Sequence, residues 1–105
     1  MTEAPRSTPE IRLERGETGG RYVMPRGDEE AELTFSIATP QLVSADHTRV
    51  PESFRGTGAA LALVERLVAD ARAQGFKIVP KCSYVEAQRC KHPDWADVFS
   101  GGNEG

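Results

Sequence analysis

The 105-residue sequence lacks a long apolar run, a block of basic residues and a secretory leader pattern. No apolar stretch approaches the roughly 20 residues of a membrane-spanning helix, so no membrane association is predicted. Lys and Arg number 13 against 16 Asp and Glu, and the net charge is −3. Such a balance does not favour binding to a nucleic-acid backbone. The polar opening segment has no apolar signal region, which predicts a cytoplasmic location.

Cysteine and histidine are scarce, with two of each in the chain. Cys82 and Cys90 do not have the C-x-x-C spacing of a redox pair, and we expect both to be free thiols. Together with His47 and His92 they match no common zinc-site spacing, so no metal site is predicted.

The length predicts one domain with one core, because about 100 residues do not suffice for two. Residues 1–9 show no periodicity and are predicted to be a disordered lead-in. Residues 10–99 form the predicted domain, and residues 100–105 a loose tail. We expect the chain to be a monomer or a weak dimer.

The first half of the domain is patterned as strands. Leu33, Phe35 and Ile37 alternate with polar residues, which is the period of a half-buried strand. Other extended stretches are predicted around residues 11–13, 21–24 and 42–50. Short turns between them favour antiparallel neighbours.

The second half changes to helical spacing between Thr57 and Gln74. The apolar stripe consists of Ala60, Leu61, Val64, Leu67, Val68 and Ala71. Of these, Leu61, Val64, Leu67 and Val68 are predicted to be buried against the sheet. Charged residues off the stripe, Glu65, Arg66 and Arg72, are predicted to be exposed. Gly75 ends the helix, and a short strand and a short C-terminal helix follow. The fold class is therefore α/β (α+β), with a mostly antiparallel sheet, a long helix after the third or fourth strand and one parallel strand pair.

The most informative segment is the glycine turn, residues 55–58, directly before the helix. Glycines at a helix start leave backbone amides accessible, and the helix dipole favours an anion there. A Walker-type loop would need a lysine after Gly58, and a dinucleotide fingerprint would need a glycine in place of Leu61. Two interpretations remain from these residues: a phosphate-binding turn, or glycines that only shape the helix entry.

The spacing Arg55-x-x-Gly58-x-Ala60 resembles the Q/R-x-x-G-x-G/A pyrophosphate signature of the GNAT superfamily of N-acetyltransferases. The flanking sequence, from about residue 20 to 99, is similar to the small single-domain branch of that superfamily. The resemblance implies an acetyl-CoA or CoA site in which Val50 pairs through its backbone with the pantetheine arm. The amides of residues 55–60 would cradle the pyrophosphate. The implied cofactor contacts are Val50, Arg55, Gly56, Thr57, Gly58, Ala59 and Ala60.

Cys82 and His47 are the predicted catalytic residues. The branch carries a cysteine at the place of Cys82, in a P-x-C-x-aromatic-V context, although Ser83 stands where the branch often has proline. Cys82 would accept the acetyl group or shape the site; the alternative is a small buried side chain. His47, three residues before Val50, would act as general base; the alternative is a hydrogen-bonded strand histidine.

The resemblance implies an acetyl-CoA-dependent N-acetyltransferase acting on an amine. A chain of this length leaves few residues for an enclosed substrate pocket, which favours an amine on a protein or another macromolecule. The alternative function is an acyl-CoA-binding module for sensing or interaction, with little turnover. Direct and ping-pong transfer both remain open.

Overall fold

The computed structural model describes residues 11–26, 28–54 and 56–100. The predicted lead-in and residues 101–105 of the predicted tail lie outside these ranges, as does Arg55. Ser100, the first residue of that tail, donates its amide to the carbonyl of Ile78 at 2.8 Å. The described part of the chain therefore runs as far as a pairing contact with the sheet.

Within the described residues, five strands form one sheet in chain order. They are β1 (Arg12–Arg15), β2 (Gly19–Arg26), β3 (Glu29–Thr39), β4 (Leu42–Arg49) and β5 (Lys77–Pro80). The first four pair antiparallel, and β5 pairs parallel with β4. The mostly antiparallel sheet with one parallel pair is thus confirmed.

Helices connect and follow the parallel pair. A 3₁₀ turn, Glu52–Phe54, leads from β4 into the long helix α1, Ala59–Gln74. The helix α2, Ser83–Lys91, follows β5, and a 3₁₀ helix, Pro93–Val98, follows α2. The crossover through α1 explains why β4 and β5 run parallel, since two parallel neighbours need a long connection. The predicted order of long helix, strand and short C-terminal helix is confirmed.

The core lies between α1 and one face of the sheet, which we call the inner face. The buried residues of α1 are Ala59, Leu63, Val64, Leu67, Val68 and Ala71. The prediction that Leu61 is buried was wrong, because Leu61 is only half-buried while Leu63 is fully buried. At about 100° of rotation per residue, Leu61 falls at the edge of the arc centred between Leu63 and Val64. Glu65 and Arg72 are exposed as predicted.

A hydrogen-bonded contact fixes α1 to β2 near the middle of the core. The Tyr22 hydroxyl donates to Asp70 at 2.7 Å. The Arg66 guanidinium lies 3.3 Å from the same carboxylate and 5.6 Å from the centre of the Tyr22 ring. Burial, and then the hydrogen bond to Asp70, raise the pKa of Tyr22 well above its ordinary value. The prediction that Arg66 is exposed was therefore wrong. Arg66 is half-buried because its side chain covers this contact.

The strand β4 carries a bulge at Asp46. Phe35 pairs with Ala45 and Thr34 pairs with His47, so Asp46 has no backbone pairing partner on β3. Its carboxylate accepts hydrogen bonds from the Ser44 and Ser36 hydroxyls. An extra residue in one strand shifts the inward–outward alternation of all residues that follow it.

Candidate functional site

The glycine turn presents an unusual backbone to open space. Gly56 and Gly58 have φ angles of 81° and 77°, in the left-handed region that disfavours other residues. A Cβ atom built on either glycine would meet no atom of the described structure within 4 Å. The backbone conformation, and not crowding by the protein, therefore requires glycine at these positions.

Two of the backbone amides at the start of α1 have no partner within the described part of the chain. The Ala59 amide donates to the Thr57 hydroxyl at 3.2 Å, and that hydroxyl donates to the Phe54 carbonyl at 2.6 Å. Among the residues that the structure describes, the amides of Ala60 and Leu61 have no hydrogen-bond partner, and the Ala62 amide bonds to Gly58. Accessible amides at the positive end of a helix form an anion-binding site.

The predicted cofactor contacts in the turn and at the start of α1 differ in how far they are exposed. Gly56, Thr57 and Gly58 are exposed, and Ala60 is half-buried. The Ala59 side chain is buried in the core, so only its backbone faces the turn.

The pairing between β4 and β5 stops before β4 ends. Their pairing ends at Ala45 and Pro80, and the amides of Lys81 and Cys82 then both donate to the Ala45 carbonyl, at 3.0 and 2.9 Å. Beyond that point the chain turns into α2, while β4 continues alongside β3. We call this region, bounded by residues 48–50 on one side and Cys82 on the other, the β4–α2 wedge; the contact between Thr48 and Cys82 lies within it. Val50, the predicted pantetheine contact, is half-buried.

Cys82 lies inside the β4–α2 wedge. Its side chain is on the inner face, 9% exposed, and its sulfur is 3.3 Å from the Thr48 hydroxyl. Cys82 also immediately precedes α2, which begins at Ser83 without the proline found in the resembling branch. Burial is the largest single influence on the pKa of the Cys82 thiol, and it raises that pKa. Hydrogen bonds from the Thr48 hydroxyl and from the amides of Val85 and Tyr84 lower the pKa, and together they outweigh burial. The pKa therefore lies below its ordinary value.

His47 lies on the opposite face of the sheet from Cys82. It pairs with Thr34, whose side chain is on the outer face, and its imidazole is exposed. Without the Asp46 bulge, simple alternation from Val43 and Ala45 would place His47 on the inner face. The structure does not bring His47 and Cys82 together, and the role of His47 as a general base stays a prediction.

The remaining cysteine and histidine, Cys90 and His92, do not line the wedge. Cys82 and Cys90 are both free thiols, as predicted, and Cys90 is exposed on the last turn of α2. His92 donates from Nδ1 to the Gln88 carbonyl at 2.9 Å and stacks on Trp95 with ring centres 4.0 Å apart. No group of three or more His, Cys, Asp or Glu side chains within the described ranges could hold a metal ion.

A comparison with protein families identifies the family of this chain. A family model described as GCN5-related N-acetyl-transferase matches residues 21–98. The chain belongs to this family. The match confirms the resemblance noted from the sequence and spans every element from β2 to the final 3₁₀ helix. For this GCN5-related protein, acetyl transfer is thus supported in general terms, and acetyl-CoA is the cofactor typical of the family.

No curated protein matches the sequence. Of the helices that the structure describes, none has the length and apolar character to cross a membrane.

Proposed function

We propose that this protein is an acetyl-CoA-dependent N-acetyltransferase that transfers an acetyl group to an amine. The observation that carries the proposal is the start of α1, where Gly56 and Gly58 adopt left-handed angles and the amides of Ala60 and Leu61 lack described partners. The turn follows β4 along the chain, after the 3₁₀ turn Glu52–Phe54. An anion-binding turn that follows a strand whose end is not paired with β5 suits an extended cofactor with a pyrophosphate at one end.

The residues present fit acetyl-CoA. The amides of residues 56–60 would face the pyrophosphate, and Arg55 would add charge beside it. Beyond Ala45, the β4 backbone has no strand partner on its β5 side among the described residues, which leaves Val50 free to pair with the pantetheine amides. Bound acetyl-CoA would supply a thioester as the acetyl donor.

We expect Cys82 to face the reacting group. In a direct route the amine attacks the thioester, and Cys82 only shapes the wall of the wedge. In a ping-pong route the Cys82 sulfur first accepts the acetyl group and then passes it to the amine. We favour the direct route, the commoner one in the superfamily. The amine must lose its proton in either case, since a lysine-like amine has a pKa of about 10.4.

The size of the domain favours a macromolecular acceptor. The strands and helices that build the core leave few residues to enclose a pocket of the roughly 300 Å³ typical of small-molecule sites. An amine on a protein or another macromolecule would need only a shallow surface at the wedge.

The proposal is tested by measuring CoA release from acetyl-CoA with a panel of small amines, lysine-containing peptides and whole proteins. We expect release that depends on the amine, and acetylated product by mass spectrometry. The Cys82→Ala and Cys82→Ser variants are assayed in parallel, and the Cys82 peptide is searched for an acetyl group after incubation with acetyl-CoA alone.

The outcomes separate the alternatives. Active Cys82 variants are expected for direct transfer, whereas inactive variants together with an acetylated Cys82 would establish the ping-pong route. Binding of CoA without amine-dependent release across the panel would contradict the enzyme assignment and favour an acyl-CoA-binding module. Absence of CoA binding would contradict both.

A further inference from the structure

We propose that Thr48 is a positioning residue whose hydroxyl donates a hydrogen bond to the Cys82 sulfur inside the β4–α2 wedge and favours its ionised form. The relevance of this ionised sulfur to acetyl transfer rests on the proposed function, where it would matter in the ping-pong route. The thiol chemistry itself does not, and it can be measured without acetyl-CoA or an amine.

The Asp46 bulge puts Thr48 where it can act on the sulfur. Thr48 pairs with Leu33, a fully buried residue of the inner face, so its side chain is directed toward the core side of the sheet. In an unbulged strand, alternation from Ala45 would turn Thr48 to the outer face. As a β-branched residue in a strand, Thr48 has few available rotamers, which fixes its hydroxyl 3.3 Å from the sulfur.

A hydroxyl at this distance favours the ionised sulfur. A thiolate can only accept hydrogen bonds, so the Thr48 hydroxyl must be the donor when Cys82 is ionised. Hydrogen bonds to charged groups are stronger than those between neutral groups. The amides of Tyr84 and Val85 at the start of α2 act in the same direction, although none makes a full capping hydrogen bond with the side chain.

Charged side chains do not provide an alternative explanation for the stabilised sulfur. The titratable side chains on the adjoining segments are His47 and Arg49 beside Thr48, and Lys81, Tyr84 and Glu86 beside Cys82, with Glu65 of α1 acting on Tyr84. The influences on the pKa of Cys82 are burial and hydrogen bonds, and no charged side chain is among them. In the described part of the chain, none of these side chains hydrogen-bonds to the sulfur. The Thr48 hydroxyl is thus the one side-chain partner of the Cys82 sulfur among these residues.

The test is the pH dependence of Cys82 alkylation by iodoacetamide, followed by mass spectrometry. The reaction forms a carbon–sulfur bond, releases iodide and leaves the thiol proton in solvent, so its rate follows the thiolate fraction. All proteins carry Cys90→Ser, because the exposed Cys90 would otherwise react. Thr48→Val removes the hydroxyl at nearly constant volume, Thr48→Ala removes it without the branched side chain, and Thr48→Ser retains it.

We expect Thr48→Val and Thr48→Ala to move the alkylation midpoint upward by about one pH unit, since they remove a hydrogen bond to a charged group. Below the midpoint the rate would fall by roughly tenfold. Thr48→Ser should keep the midpoint near that of the parent. Circular dichroism and melting curves identify any variant that has unfolded.

An unchanged midpoint in either folded hydroxyl-free variant would overturn the proposal. So would a shift of the same size in Thr48→Ser, because a packing defect and not the hydroxyl would then be responsible. Protection of Cys82 by added CoA in the same assay tests the proposed cofactor site separately, so failure of one proposal leaves the other intact.

Discussion

Both ends of α1 carry a glycine in the left-handed conformation, but the surroundings of the two glycines differ. Gly58 precedes the helix with a φ angle of 77°, and Gly75 follows it with 81°. A Cβ atom on either would meet no described atom within 4 Å. At the far end the amides of Gly75 and Phe76 both donate to the Ala71 carbonyl, at 2.8 and 3.2 Å. A left-handed glycine therefore marks both boundaries of the helix, whereas amides without a described partner are found at the N-terminal end, the end that suits an anion.

Charge separates the two ends as well. The first turn of α1 has no acidic side chain, although acidic residues are favourable there. The last turn carries Arg72, which pairs with Asp97 at 2.8 Å. The C-terminal end is thus satisfied within the protein, whereas the positive N-terminal end is left for an external anion.

The largest expected effect is a loss of stability when the core beneath α1 is disrupted. Val64 is 0% exposed on the middle of α1, and Val64→Asp would bury a carboxylate without a partner. We expect a loss of about 3–5 kcal/mol in the free energy of unfolding, measured by urea denaturation. Ala69→Asp, on the exposed face of the same helix, is the control and should change the stability little. Normal stability of Val64→Asp would contradict the helix packing.

The next effect sharpens the difference between the ends directly. Gly58→Glu should weaken CoA binding by about 100-fold or more, because a carboxylate within a few ångströms of the pyrophosphate costs several kcal/mol. The measurements are isothermal titration calorimetry and the rise in melting temperature that CoA produces.

Gly75→Glu is the matched control for this variant. It imposes the same charge and a similar left-handed strain on the same helix, but at the end without free amides. It should bind CoA like the parent. Equal losses in the two variants would point to strain, and undiminished affinity in a folded Gly58→Glu protein would contradict the cofactor site.

Much of this contrast between the helix ends could be predicted from the sequence. Glycine positions and helical periodicity depend on local chemistry, so the order of elements and the two boundaries of α1 followed from them. The helix begins at Ala59 and not Thr57, because the left-handed Gly58 must precede it. Leu61 was misplaced because the centre of the buried arc depends on how α1 sits on the sheet, which no local pattern records.

The interior of the candidate site was less accessible to sequence reasoning. The bulge at Asp46 has no local signature in the run S-A-D-H-T, yet it exchanges the faces of His47 and Thr48. Reasoning from the chain therefore selected His47 and missed Thr48, whose contact with Cys82 joins residues 34 positions apart. Register across a sheet is a tertiary property, and one inserted residue changes which side chains meet.

The smallest expected effect concerns the C-terminal end of the comparison. The hydrogen bond from Arg72 is the largest influence on the Asp97 carboxyl and lowers its pKa below the ordinary value of 3.8. A carboxyl with a depressed folded-state pKa stabilises the protein above its unfolded-state pKa, and this contribution is lost as the pH falls through the folded-state value. Asp97→Asn should therefore lower the melting temperature slightly at neutral pH and leave it equal to the parent at strongly acid pH.

The control is Asp94→Asn, which removes the same charge from the same 3₁₀ helix and keeps the Arg72–Asp97 pair. Added salt should reduce the difference between Asp97→Asn and its parent, since exposed ion pairs are screened. CoA affinity should be unchanged in Asp97→Asn, because the pair lies at the end of α1 that has no free amides. A loss of CoA binding in this variant would mean that the two ends are not independent, and that the satisfied end also sets the geometry of the ligand end.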